Sequence, residues 1–364
     1  MRKIFAICIF ALSLLGCQQA EKGLMLINTI NDYYKIESVK LTDAVKSLEY
    51  IHLQTDSTCL IGNDPEIYVT NDYVISLDSK HCFLFSRKDG KFIREVLHKG
   101  NDANGYLSTL RGGNIAFIEE SNELMFQGVT PNTIDIFSLK TDTKRIWHIH
   151  GLAPTMAPMG SDAFVSVNRN LFGNNPISMY LYNNDQVVDS LANTQMFESK
   201  ENSLIVITND DFFYRHAGKT YYKNMTNDTL YHVDLQGIHP HAVFLQGEKA
   251  MTVEVRQQAE LFRNNQVLFQ IFNIAEDKDA IYYQLKHQKK VSHLIYKKSD
   301  GTGYRVEGEG FENDIDGIAD MWPHRIMQNK EYVFVIDPST LKKDALTKLN
   351  AKADDNPVIV IGHK

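Results

Sequence analysis

Short runs of β-branched and aromatic residues, broken every few positions by Asn, Asp, Gly and Ser clusters, fill most of this chain. Runs of four to eight residues are too short for stable helices. Bounded by turn formers, they read as strands that must pair with neighbours to satisfy their backbone groups. Residues 66–69, 73–77, 83–85, 91–96, 114–118, 124–126, 133–139, 145–149, 163–167, 178–182, 204–208 and 229–233 are such runs. Residues 267–272, 280–285, 291–296 and 332–336 continue the series. Helical periodicity is scarce and predicts one short helix over 251–262, on a loop, and another over 341–349. The chain is therefore expected to be all-β.

Within the series one unit recurs: an aromatic-rich strand, a polar turn, and a second strand. Placing Phe85, Phe137, Tyr182, Val233 and Tyr296 in equivalent positions gives steps of 52 (137 − 85), 45 (182 − 137), 51 (233 − 182) and 63 residues (296 − 233). Units of that size suit four-stranded propeller blades, and their unequal spacing predicts loop insertions, the last near residues 251–263. A ring of blades removes sheet edges only if it closes. A strand from near the N-terminus, residues 48–53, is expected to complete the last blade.

The N-terminus carries a different signal. Arg2 and Lys3 precede an apolar stretch, residues 4–15, interrupted only by Ser13. Twelve residues are too few for the roughly 20 that a spanning helix needs, but suit the core of a cleaved signal peptide. Leu14, Leu15, Gly16 and Cys17 follow and resemble a lipobox, in which cleavage after Gly16 leaves Cys17 to be acylated as the new N-terminus. Several acyl chains anchor a protein stably, at about 0.8 kcal/mol per buried CH₂. Residues 18–23 then read as a tether, leaving 348 residues after cleavage (364 − 16). The expected division is a signal peptide over 1–16, a lipidated Cys and tether over 17–23, and one propeller domain over 24–364. Of the four cysteines, Cys8 leaves with the signal, so Cys59 and Cys82 alone remain to pair, and the sequence leaves that pairing open.

Several longer segments resemble the six-bladed β-propeller lipoproteins abundant in Bacteroides-type bacteria. Residues 48–62 (LEYIHLQTDSTCLIG) look like that family's opening segment, and residues 83–105, with their Asp-Gly-Lys-Phe turn, like its first blade. Gly100-Asn101-Asp102-Ala103-Asn104-Gly105-Tyr106 stands where the family usually has Gly-x-Gly-Pro-Gly-Glu-Tyr. Residues 313–317 before Trp322-Pro323, and residues 355–360, are similar to its closing motifs. The resemblance implies six four-stranded blades and export; it carries over no catalytic residue, because the family has no common activity.

The residues themselves offer little chemistry. A net charge of −7 without a long basic stretch argues against nucleic acid. There is no Gly-x-Ser-x-Gly, no His-Glu-x-x-His and no phosphate loop. Propeller glycosidases and lyases gather acids and bases from separate blades, so Glu119, Glu120, Asp210 and Asp211 keep an enzyme in play as the alternative. Asp314 and Asp316 before Gly317 suggest a calcium loop, yet Pro323 would stand where an EF-hand needs its bidentate Glu, so Asx turns are the plainer account. His148 with His150, and His239 with His241, are i, i+2 pairs that can present imidazoles on one strand face, but no Cys or carboxylate stands at ligand spacing. No cofactor is expected. Trp322, Tyr214, Tyr222 and Trp147 are the residues expected to contact a ligand, since flat rings with polar edges suit sugar faces and peptide anchors; packing between blades competes for the same rings. Taken together, the sequence predicts a non-catalytic binding or scaffold module on the cell envelope, held at the outer membrane by its lipid. Its partner would be a glycan, a peptide or an envelope protein.

Overall fold

The computed structural model describes residues 23–100 apart from 64 and 79; 102, 105 and 106; 115–149 apart from 128, 129 and 131; 155–198 apart from 169 and 171; 211–255 apart from 254; and 268–364. Six antiparallel four-stranded blades stand around a ring, five of them built from successive strands. Blade 1 is built from Glu66–Val69, Tyr73–Leu77, His81–Ser86 and Phe92–Lys99, and blade 2 from Ile115–Ile118, Glu123–Phe126, Thr133–Ser138 and Lys144–His148. Blade 3 comprises Thr155–Pro158, Ala163–Val167, Ile177–Asn183 and Gln186–Ala192. Blade 4 comprises Asp211–His216, Lys219–Asn224, Thr229–Asp234 and Gly237–Phe244. Blade 5 holds Gln270–Glu276, Ala280–His287, Lys290–Lys297 and Thr302–Val306. Blade 6 closes the ring: Arg325–Ile326, Tyr332–Ile336 and Val358–His363 are joined by Ser47–His52 from the N-terminal side, paired antiparallel from Val358↔His52 to His363↔Ser47.

The five residues placed in equivalence by the sequence, Phe85, Phe137, Tyr182, Val233 and Tyr296, all fall on third strands of successive blades. The strand expected over 48–53 closes the ring one residue earlier than read. The helix expected over 341–349 is present as Lys343–Leu349, ended by Asn350 in the left-handed conformation. Residues 204–208, most of 251–262, and the signal and tether through residue 22 lie outside the described residues. Cys59 and Cys82 are both free and buried.

Alternation along each strand builds the core. On blade 1, Phe83 and Phe85 point into the seam with blade 6, where they meet Ile51, Val333, Ile359 and Ile361; Cys82 and Leu84 point the other way, onto Phe117, Leu124 and Phe126 of blade 2. The same division repeats around the ring, so that each of the six seams holds one large hydrophobic cluster.

The N-terminal segment does more than close blade 6. Met25–Ile27 adds a parallel fifth strand to the outer edge of blade 4, Met25↔Ala242 through Ile27↔Phe244, and Ile36–Glu37 adds one to blade 5, Ile36↔Arg305 and Glu37↔Val306. Between them the short helix Thr29–Tyr34 starts at Asn28, whose side chain accepts from Asn31 N at 3.3 Å. One strap thus runs over three blades. Its onward path is pinned where Asp314 accepts from Thr42 N (3.0 Å) and Thr42 Oγ1 (2.7 Å), and where Tyr50 OH donates to Asp316 (2.8 Å). The two carboxylates weighed as calcium ligands therefore fasten the strap.

Candidate functional site

The first strand of every blade faces the centre, and together these strands wall a channel with a cavity of about 820 Å³. All six run in the same direction along it, which gives the channel two unlike ends. At one end the wall includes Leu60, Pro65, Asp337, Ser339 and residues 353–357; this is the mouth. At the other, side chains brace the ring from side to side. Arg215 of blade 4 pairs with Glu120, beyond the inner strand of blade 2, and donates to Pro158 O of blade 3 at 3.0 Å. The hairpin at Gly218 donates its N–H to Gln328 Oε1 of blade 6 at 2.9 Å.

Between mouth and brace the lining is mixed. Tyr68, Phe212, Phe213 and Phe272 are half-buried rings on the wall. Arg325 lies 4.1 Å over the Tyr68 ring and donates to Glu66 at 3.0 Å. The neighbouring His324 accepts from Ile67 N at 3.3 Å through Nε2, which requires a neutral acceptor nitrogen, and burial pushes its pKa down accordingly. Burial raises the Glu119 carboxyl above its ordinary value, against the pull of Arg325 and Arg215. Asn273 donates to Gln284 at 3.2 Å, and Gln284 lies 2.9 Å from His293, carrying polarity from the channel into the blade. Such a lining can hold the flat face of an aromatic-compatible ligand and satisfy its polar edge.

Of the rings expected at a ligand site, Tyr214 contributes to the channel wall, although its own surface is almost fully covered. It stacks on Tyr221 at 4.8 Å and donates to Glu276 at 2.5 Å. Glu276 is fully buried and also contacts His241 (3.0 Å) and Lys298 (2.5 Å). Burial alone would raise this carboxyl, yet His241 and Lys298 outweigh it and hold the pKa at about 2. Tyr222 donates to Asp211 at 2.6 Å and lies in the seam between blades 3 and 4. Trp147 stacks on Phe164 at 5.2 Å with Arg145 above its ring, in the seam between blades 2 and 3. Trp322 stacks on Phe311 at 5.8 Å and contacts His293 at 4.7 Å, against the core shared by blades 5 and 6. Cys17, Gly16, His150 and Asp210 lie outside the described residues. Among the described residues no group of three His, Cys, Asp or Glu side chains is placed to hold a metal ion, and no helix is long and apolar enough to cross a membrane.

The half-buried rings Tyr68, Phe212, Phe213 and Phe272 escaped sequence reasoning because aromatics occur on channel-facing and seam-facing strands alike. The available signal was order within the repeat: the first strand of each blade faces the channel, whichever residues it carries.

A family model described as a domain of unknown function, DUF4934, matches residues 25–363. The chain belongs to the DUF4934 family. That match runs from the first strand of the strap to the last strand of blade 6, so this DUF4934 domain includes the strap. Among solved structures, a candidate exported protein from Bacteroides fragilis superposes with a TM-score of 0.68 at 13% identity, covering 93% of this chain and 98% of its own. This likeness shows the propeller fold. A virginiamycin B lyase from Staphylococcus aureus is more distant, with a TM-score of 0.38 at 11% identity over 79% of this chain and 81% of the lyase. No curated protein matches the sequence.

Proposed function

We propose that this DUF4934 protein is a non-catalytic binding module of the cell envelope, lipid-anchored through Cys17, that takes its ligand through the channel mouth. The observation that carries the reading is the channel itself. Six inner strands surround one cavity whose far end is braced by Arg215–Glu120 and Gly218–Gln328, while its wall carries half-buried rings beside Arg325, Glu66 and Asn273. Rings that the blades have not fully covered, next to polar groups with capacity to spare, are what a glycan or an aromatic-bearing peptide needs. The apolar segment and lipobox ahead of Cys17 support the anchoring, and outer-membrane placement follows the family resemblance.

The test is a glycan and peptide binding screen on the body beginning at Gly23, followed by titration calorimetry on the best ligand. Phe272→Ala and Tyr68→Ala should each weaken binding roughly tenfold, the loss of about 1.4 kcal/mol expected for one well-packed ring. The ligand should be recovered unaltered. Steady product release that disappears in Glu119→Gln would replace this reading with a propeller hydrolase or lyase, for which the raised Glu119 would be the acid.

A further inference from the structure

The strap crosses the outer edge of blade 5 on a carboxyl with which no cation among the described residues pairs. Asp32, in the strap helix Thr29–Tyr34, is 7% exposed, and its Oδ2 has no hydrogen-bond partner. It lies directly on the backbone of the outer strand, since a Cβ on Gly303 would stand 2.2 Å from that oxygen. Lys35, one turn further on, pairs instead with Glu37 at 2.7 Å and is half exposed. From blade 5 the groups facing Asp32 are the Gly303 N–H and the phenols of Tyr283 and Tyr296, whose hydroxyls are pushed up by burial and then by the Asp32 charge. Asp300 acts on Lys35 and Tyr296. His287 and Arg305 meet the neighbouring Tyr33 ring, His287 edge-on at 5.4 Å and Arg305 over its face at 4.8 Å.

A carboxylate taken out of water without a cation is disfavoured against its neutral form, which is smaller in charge and can donate a hydrogen bond. The polar bonds that must offset it here are few. Along the edge of blade 5 the strap receives Arg305 N on Lys35 O at 2.7 Å and Glu307 N on Glu37 O at 2.9 Å. Backbone bonds of this kind add little net stability in water, so the charge on Asp32 weighs heavily on whether this stretch stays down.

We infer that Asp32 is a proton-operated latch: its neutral carboxyl seats the strap on Gly303 of blade 5, and its ionisation loosens the strap from the outer strand Thr302–Val306. Burial raises the docked carboxyl from 3.8 to about 6, against the Gly303 N–H and Lys35. A lifted strap returns Asp32 to water and to its ordinary value. Docking is therefore strongest below pH 3.8, weakens as pH climbs to 6, and is level above that. His287 has the opposite sign, because burial lowers it and its contribution is lost as pH falls below 6.5. Lifting the strap bares the edge of Thr302–Val306, a row of backbone groups open to a strand from another chain. The latch sits on the rim of the ring and acts independently of the channel and the lipid anchor.

Amide hydrogen exchange on the full chain reads the latch at Arg305 and Glu307, whose N–H groups donate across to the strap. The reference is Asp32→Asn, which keeps the shape of the neutral carboxyl. Asp32→Ala, smaller and a strong helix former, serves as a second reference should the amide disturb the fold. His287 is common to all three chains, so its titration cancels in the comparison. After division by the intrinsic rates, wild-type exchange relative to either variant should rise roughly tenfold from pH 5 to pH 7, as the change from 3.8 to about 6 requires. A ratio that stays flat or falls overturns the latch, because the docked carboxyl is then at least as ionised as a free one. An equal rise in the closing strand Ser47–His52 also overturns it, since the whole ring and not the strap is then opening.

Discussion

Glu276 shows how a single side chain can commit two blades to one arrangement. It leaves blade 5 with no exposed surface and binds Tyr214 and His241 of blade 4 together with Lys298 of its own blade. Breaking a buried ion pair leaves the surviving charge uncompensated, so Glu276→Gln should destabilise the protein by about 3 kcal/mol in urea unfolding. The pH dependence has a definite sign. The folded carboxyl, near 2, lies below its ordinary value of 4.5, so its contribution is complete above pH 4.5 and is lost as pH falls toward 2. His293 acts in a higher window. Burial against Trp322 and Gln284 lowers it from 6.5 to about 4, so the unfolded chain takes up the proton first and stability falls between those values. Lowering the pH from 7 to 5 should cost about 2 kcal/mol at this one site, and His293→Gln should flatten that limb of the urea-midpoint profile.

Among the elements, the strap and the hairpin beneath it carry the most structural consequence for their length. Ile27 is fully buried against Leu230, Phe244 and Tyr283, and Ile27→Ala should cost about 2–4 kcal/mol because a cavity opens in the seam between blades 4 and 5. The Asp89-Gly90 turn of blade 1 holds the end of the closing strand. Gly90 has a φ of +66° and accepts from Gln54 N at 2.8 Å, and an added Cβ would stand 1.8 Å from His52 O. Gly90→Ala therefore meets both backbone strain and a direct clash, and calorimetry should show a loss larger than the roughly 1 kcal/mol of an unobstructed left-handed site. This turn was legible in the sequence as a turn. Its contact with residue 52 was not, because that contact exists only once the ring is closed.

Across the whole molecule, stability rests on a joint between distant parts of the chain. Arg87 of blade 1 holds both oxygens of Glu331 in blade 6 at 3.0 Å and Glu49 of the closing strand at 3.1 Å. Arg87→Met keeps much of the stem and removes the fork, and should cost about 2 kcal/mol. Hydrogen exchange should accelerate together in Ser47–His52 and Val358–His363, the paired strands at the closure. Faster exchange confined to blade 1 would show that the joint is not what closes the ring.

The period-2 alternation of short apolar runs determined the strands, and their recurrence every 45 to 63 residues determined the blades. Both are local consequences of the pleat, which sends neighbouring side chains to opposite seams. The sequence also marked the N-terminal strand that closes the ring, since an open propeller would expose two edges. Tertiary structure alone decided the parallel strands at 25–27 and 36–37. Each has two or three residues, too few to carry a pattern, and each is held by a blade more than 200 residues away. It also decided which rings face the channel. A Tyr or Trp has the same hydrophobic value in a seam as on a wall, and only its place in the closed ring leaves Phe272 half-uncovered while Trp147 is buried in a stack.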